Sequence, residues 1–287
     1  MPKATAKGKL VLAAHIEMIS ADPAEQQPGD RIVLRSIREQ LTDYDFKANK
    51  LVGSLAEKWE QTKPDAWRFT LRKGIKFQNG EPLNADAVVT SIKRHADPVA
   101  NHRNLFFNPF VKDVTKVDDS TIEIVNTEPD PIQALRLSFW AIEAPKWMQD
   151  NPELLPVTAV GTGPYRFAQW EKGQYIKLTA NEEYWGDPKP SIKDVTIMVR
   201  TEASVRSAMV KTGEADVGTF LTPEACQGIK CLNITPSDTV IIRTNTLHPV
   251  LKDKRVRQAL SFAIDRKSVA EKLYGGFATP ASQMIAP

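Results

Sequence analysis

Val195-Thr196-Ile197-Met198-Val199, followed by Thr201 to Gly213 and then Ala215 to Phe220, is the stretch whose reading decides the fold. The first five residues are apolar or β-branched and read as a buried strand. Thr201 stands where a helix cap belongs, and Val205, Ala208 and Met209 fall at helical spacing as an inner face. Gly213 is the expected C-cap, because glycine takes positive φ without strain. Ala215 to Phe220 then reads as another strand. Strand, helix, strand at this spacing is a βαβ-like unit and argues for an α/β sheet.

Upstream, Gly161-Thr162-Gly163-Pro164 opens a hairpin with strands Tyr165 to Trp170 and Tyr175 to Ala180 around Glu171-Lys172-Gly173-Gln174. Further back, Val111 to Val125 reads as a hairpin around Asp118-Asp119-Ser120. Ala66 to Leu71 alternates as a strand should, with Trp67, Phe69 and Leu71 on one face. Asn79-Gly80 is a turn, and Asn84 caps a helix over Ala85 to His95. Lys9 to Ile16 reads as a first buried strand. Asp30 caps a helix carrying Ile32, Val33, Ile37 and Leu41, and Leu51 to Trp59 reads as a short helical turn or loop. Pro131 to Leu137 is a short helix and Ser138 to Ile142 a strand. Downstream, Thr239 to Thr244 is a last strand. Asp253 caps the helix Lys254 to Ile264, Ser268 to Leu273 follows it, and Gly275-Gly276 breaks the structure.

The bulk numbers fit this picture. A chain of 287 residues suggests two or more folding units. It is 41% hydrophobic and 25% charged, with Lys plus Arg at 38 and Asp plus Glu at 35, so the formal charge is only +3. That balance points away from nucleic acid or an acidic membrane as the main partner. No apolar run reaches the length of a membrane span. The basic N-terminus before Leu10-Val11-Leu12-Ala13-Ala14 mimics a signal peptide. His15 and Glu17 interrupt the apolar stretch, however, and no small-residue cleavage site follows. An exported protein of this kind would already have lost its leader, and Met1 would then be an added start. Cys226 and Cys231 are either two small semi-buried side chains or a short-loop disulfide.

Catalytic signatures are absent from the sequence. There is no Gly-x-Ser-x-Gly elbow, no His-Glu-x-x-His and no P-loop. Gly161-x-Gly163 lacks a third glycine and reads as a tight turn. The pairs Asp118-Asp119 and Glu182-Glu183 read as solvated turn residues. His15, His95, His102 and His248 lack the tight spacing of a metal pair, so neither a metal nor a cofactor is expected. Phe106 and Phe107 read as core.

These motifs, in this order, resemble the extracytoplasmic solute-binding proteins of peptide- and nickel-type ABC importers (solute-binding protein family 5). The matching residues are Trp67-Arg68-Phe69-Thr70-Leu71-Arg72-Lys73-Gly74-Ile75-Lys76-Phe77-Gln78-Asn79-Gly80-Glu81-Pro82-Leu83, then Gly161 to Tyr165 with Asn181 and Tyr184-Trp185-Gly186. Gly213-Glu214-Ala215-Asp216 and Arg255 to Arg266, followed by Gly275-Gly276 and Pro280, complete the pattern. Ala87 departs from it, where the family commonly has Asp.

The resemblance implies an α/β, periplasmic-binding-protein type II-like, bilobal architecture, with the second lobe mostly missing because family members are considerably longer. It divides the chain into four stretches. Residues 1–41 open the core domain of the first lobe, and 42–157 are a family-specific subdomain of that lobe. Residues 158–240 return to complete the core domain, and 241–287 are the crossover and start of a truncated second lobe. That last segment is expected to pack poorly. The implied function is non-enzymatic: capture of a peptide or similar small solute in an interlobe cleft, and delivery to the transmembrane permease subunits of an ABC importer. The place is the periplasm, with no membrane span of its own. Two alternatives remain, a peptide-binding chaperone-like protein and an unrecognised hydrolase. Ligands of open α/β sheets sit beyond the carboxyl ends of strands. This makes Glu17, Met18 and Ile19, after the first strand, and Phe139 and Trp140 candidates for ligand contact. The resemblance adds Asn245 and Thr246, the family's polar pair after the crossover strand. Glu17 would suit a cationic group such as a peptide N-terminus.

Overall fold

In chain order the elements are β1 (Lys9–Ala14), α1 (Arg31–Leu34), β2 (Thr42–Asp45), β3 (Lys50–Gly53), β4 (Ala56–Lys63), β5 (Ala66–Leu71), α2 (Ala85–Ala96), β6 (Val111–Asp118), β7 (Thr121–Asn126), α3 (Gln133–Arg136) and α4 (Pro145–Asp150). They continue with β8 (Tyr165–Glu171), β9 (Tyr175–Ala180), β10 (Asp194–Val199), α5 (Ala203–Thr212), β11 (Val217–Gly218), α6 (Lys254–Ala263) and α7 (Arg266–Ser268), which runs into a π-helical turn, Val269–Leu273. The structure is a computed structural model and describes residues 8–23, 25, 29–97, 110–232 and 240–281. His102, Phe106, Phe107 and Thr239, singled out in the sequence, lie outside the described residues.

The βαβ unit forms as β10, α5 and β11, and β1 is inserted between its two strands. The sheet order is β11-β1-β10-β9-β8. β1 pairs in parallel with β10, from Lys9 opposite Asp194 to Ala14 opposite Val199, and in parallel with β11. β9 and β8 return antiparallel. Apolar side chains cover both faces of this mixed sheet, as its parallel half requires. Ala14, Val33, Leu34, Ile37, Ile176, Leu178 and Ile197 make one cluster. Ala13, Met209 and Ala215 make the other.

A second, antiparallel sheet, β4-β5-β7-β6, carries the other main core. Phe69, Leu71, Ile122 and Ile124 pack there with Val88 and Ile92 of α2. Asn84 caps α2 as expected, its Oδ1 accepting from Ala87 N at 3.0 Å. On the outer face Arg68 and Glu123 form a 2.9 Å ion pair. The turn at Asn79-Gly80 also forms, with Gly80 at φ +91.

Several local expectations fail. Leu51 to Trp59 is not helical. It supplies most of β3 and half of β4, because β2 and β5 lie alongside; Trp59 sits opposite Phe69. Ser138 to Ile142 is not a strand. A 3-10 turn, Leu137–Phe139, forms instead, fixed by Ser138 Oγ donating to Leu135 O and Arg35 Nη2 donating to Ser138 O. Asp30 does not cap α1 with its side chain, whose Oδ1 accepts from Ile19 N at 2.6 Å. Thr201 does not cap α5; Glu202 holds that position without a side-chain bond. The inner face of α5 is Arg206, Ser207 and Met209, whereas Val205 and Ala208 are exposed. Ala215 to Phe220 pairs only over Val217–Gly218, because Phe220 turns to φ +50. Residues 240–244 form no strand.

The glycine-rich and Tyr-Trp-Gly motifs meet at one carboxylate. Glu39, 9% exposed, accepts from Thr162 Oγ1 (2.8 Å), Tyr184 OH (2.8 Å) and Trp185 Nε1 (2.6 Å). Burial pushes its pKa up against the pull of these three donors. Gly161 and Gly163 pass so close to the segment following α1 that a Cβ on Gly161 would lie 2.2 Å from Ile37 O. Gln78 closes the joint: its N donates to Gly161 O, and its Nε2 donates to Gly163 O and Tyr165 O. A second polar cluster lies behind. Arg94 holds Asp22 through both Nη atoms and Glu143 at 3.0 Å, and fully buried Arg38 stands 3.8 Å from Glu143.

Residues 240–281 are built differently. Asp253 caps α6, accepting from Arg255 N at 2.8 Å, and Gly275 and Gly276 take positive φ after the π turn. Yet Ala270 is the single buried residue among the described residues of this segment. Phe262 is 85% exposed and Leu247 81%. Just before it, Cys226 and Cys231 form a disulfide with Cα atoms 5.9 Å apart.

Candidate functional site

Because β1, β10 and β11 are parallel, their carboxyl ends line up along one edge of the sheet. The β8–β9 turn arrives at the same edge, where Gln174 O accepts from Val199 N at 2.9 Å. The loop leaving β1 crosses this edge and is tied at two points. Glu17 Oε1 accepts from Gly173 N at 2.5 Å, and Ile19 N is held by Asp30. The second oxygen of Glu17 has no hydrogen-bond partner among the described residues.

The seven sequence candidates separate on this frame. Glu17 is half-buried and Ile19 is 57% exposed, both on the edge. Met18, between them, turns inward, is 2% exposed and packs with Val33, Leu34 and Ile37. Phe139 is half-buried beneath the Arg31 guanidinium, 4.7 Å from its ring centre. The start of α1 therefore touches both residues, Ile19 through Asp30 and Phe139 through Arg31. Trp140 is 3% exposed in the core of the second sheet, with its ring 5.7 Å from that of His95. Asn245 and Thr246 are exposed in a turn where Asn245 Oδ1 accepts from Leu247 N at 3.0 Å. No hydrogen bond joins them to the loop after β1 among the described residues.

Three features of this edge escaped the sequence reading. The His15 ring lies on that of Phe220, with centroids 3.9 Å apart and an angle of 38°. Phe220 itself is 60% exposed. Arg206, 2% exposed, donates to four carbonyls: Nε to Thr219 O (2.8 Å), Nη1 to Arg200 O (2.6 Å) and Thr201 O (2.7 Å), and Nη2 to Phe220 O (2.6 Å). A cation at an interior helix position was a usable signal, because burying one demands a dense set of acceptors. Among the described residues, no group of three or more His, Cys, Asp or Glu side chains is placed to hold a metal ion. Among them also, no helix is long and apolar enough to cross a membrane.

A family profile described as "Bacterial extracellular solute-binding proteins, family 5 Middle" matches residues 50–287. The dipeptide-binding protein of Escherichia coli K12 is 27% identical over 279 residues, covering 86% of this chain and 52% of that protein. The glutathione-binding protein GsiB of Salmonella choleraesuis is 28% identical, covering 99% of this chain and 57% of that protein. Among solved structures, NikZ from Campylobacter jejuni in complex with Ni(L-His) superposes with a TM-score of 0.88 at 26% identity, covering 99% of this chain and 58% of that one. The chain spans about half the length of the curated relatives it matches.

Proposed function

Because the chain belongs to the family 5 bacterial extracellular solute-binding proteins, we propose that it supplies the first lobe of a solute-capturing component of an ABC importer. The solute is a peptide or a similar small molecule, taken outside the cytoplasm and handed to a membrane permease. The relatives named for dipeptide and glutathione support a peptide-like solute. Capture works by hinge closure: solute bound to one wall gains extra contacts in the closed state and so favours it. The role is binding without turnover.

The observation that carries this reading is the carboxyl edge of the five-stranded sheet, where a tethered loop presents Glu17 and Ile19. Glu17 is the anchor for a cationic group, with one oxygen fixed by Gly173 N and the other directed to solute. Ile19 and Phe139 give apolar contact beside the start of α1. Asn245 and Thr246 bond the peptide backbone from the crossover side. Met18 and Trp140 act from beneath, as packing that holds the loop and the aromatic turn.

A thermal-shift screen against di- and oligopeptides, nickel chelates, opines and sugars tests the proposal. A saturable rise with one class and no product is expected, equivalent to about 2.7 kcal/mol at a hundred-fold excess over Kd. Product formation, or no shift with any class, overturns it. Glu17→Ala should weaken peptides with a free N-terminus about ten-fold and leave N-acetylated ones unchanged.

A further inference from the structure

We propose that the His15–Phe220 ring pair is a stacking wall for a planar aromatic group on the solute. This inference rests on the function proposed above and narrows it to solutes that carry such a group.

Phe220 is a bulky residue in a left-handed conformation, φ +50. Among the described residues Asn49 is the other non-glycine with positive φ, and asparagine tolerates that region as phenylalanine does not. A strained backbone persists where its surroundings over-determine it. Here the surroundings are explicit. Arg206 takes the carbonyls of the peptides on both sides of Phe220, those of Thr219 and Phe220, and with Nη1 the carbonyls of Arg200 and Thr201 just after β10. Thr219 N donates to Ala13 O at 3.0 Å, which locks the same residues to β1.

Such a brace would suit core packing if the ring were covered, but the ring is 60% exposed. His15 supports it from one side at 3.9 Å, and His15 Nδ1 lies 3.4 Å from Thr219 Oγ1, which sets the imidazole's orientation. The result is a rigid aromatic face beyond the carboxyl ends of β1 and β11. Glu17 lies on the same edge, two residues beyond His15. Ring quadrupoles favour offset or tilted partners, so a planar group gains over an aliphatic one of equal size.

Two matched pairs of dipeptides test this: Phe-Gly against cyclohexylalanine-Gly, and Gly-Phe against Gly-cyclohexylalanine. The two side chains have closely similar bulk and differ in aromaticity. Affinities are measured by calorimetry or NMR titration on the 287-residue chain. In at least one pair the wild type should bind the aromatic member about ten-fold more tightly. Phe220→Leu should bring that ratio to within two-fold. Phe220→Asn, which keeps a residue able to hold positive φ, should do the same and melt no lower than the wild type. The ratio is internal to each protein, so partial unfolding of a variant cancels. A wild-type ratio near one in both pairs, or a ratio unchanged in both variants, overturns the stacking wall and leaves the proposed function standing. Failure of the wild type to bind any peptide overturns the stacking wall as proposed, and failure with every class of the thermal-shift screen overturns the proposed function as well.

Discussion

Helices α2 and α6 begin alike and end differently. Each is capped by a side chain accepting from a first-turn amide, Asn84 in one and Asp253 in the other. Both alternate apolar and polar residues at helical spacing. α2 buries Ala85, Ala87, Val88, Ser91, Ile92 and His95 against the second sheet, whereas α6 buries none of its residues. A helix is written locally, in caps and periodicity; what covers it is written elsewhere in the chain. Most helical stability comes from that cover. The two helices therefore share a sequence signature and differ in what holds them.

The largest expected effect separates the two settings directly. Phe69→Ala, in the core that covers α2, should cost about 4 kcal/mol of unfolding free energy, read from the urea midpoint. Phe262→Ala on α6 should change it by less than about 0.5 kcal/mol. Equal losses would show that α6 is covered after all.

The next effect is on pH. His95 on α2 is buried, and desolvation holds its pKa below the usual 6.5, outweighing the opposite pull of Glu143, Asp22 and the Ala141 carbonyl; Arg94 adds to the lowering. The folded state therefore binds fewer protons than the unfolded state as pH falls through 6.5. Stability present above 6.5 is lost on acidification, by up to about 1.4 kcal/mol per pH unit. Melting between pH 7.5 and 5.5 should show this slope, and His95→Gln should flatten it. A wild-type profile that does not fall on acidification would sink the argument.

The smallest effect concerns the caps. Asn84→Ala should cost about 1 kcal/mol of global stability. Asp253→Ala should leave the global unfolding midpoint where it is, because α6 adds little to the cooperative unit. Hydrogen exchange sharpens the contrast: amides of Arg257 to Ile264 should exchange far faster than those of Val88 to His95. Strong protection across Arg257 to Ile264 would break the comparison.

The sequence was legible at most of its turns and at two of its expected helix N-caps, while the caps expected of Asp30 and Thr201 failed. Asn84, Asn79-Gly80, Gly213 and Asp253 each act within a few residues, and each marks what it was expected to mark. The hairpin strands beside Asp118-Asp119-Ser120 and Glu171 to Gln174 followed for the same reason. Leu51 to Trp59 was misread because its strands exist only through pairing with the hairpin partners β2 and β5, and its outward charges hide the alternation. At the candidate site, Glu17 and Ile19 could be placed from the end of β1 alone. Met18 was indistinguishable from them in sequence, since one residue's rotation decides which side chain turns inward. Arg206 was hidden by a phase error of one residue on α5, and Phe220 by the assumption that its strand ran on.

The joint at Glu39 has a consequence for anyone who recombines this protein. Residues 36–39, 78, 161–166 and 181–185 come from four separate stretches of the chain and interlock through one carboxylate, the amide side chains of Gln78 and Asn181, and two glycines. Swapping residues 42–157 for the equivalent piece of a relative transplants Gln78 along with the rest. Such a chimera seats its graft only if the donor carries a side chain at that place able to reach Gly163 and Tyr165, so the transferable module is larger than the stretch exchanged.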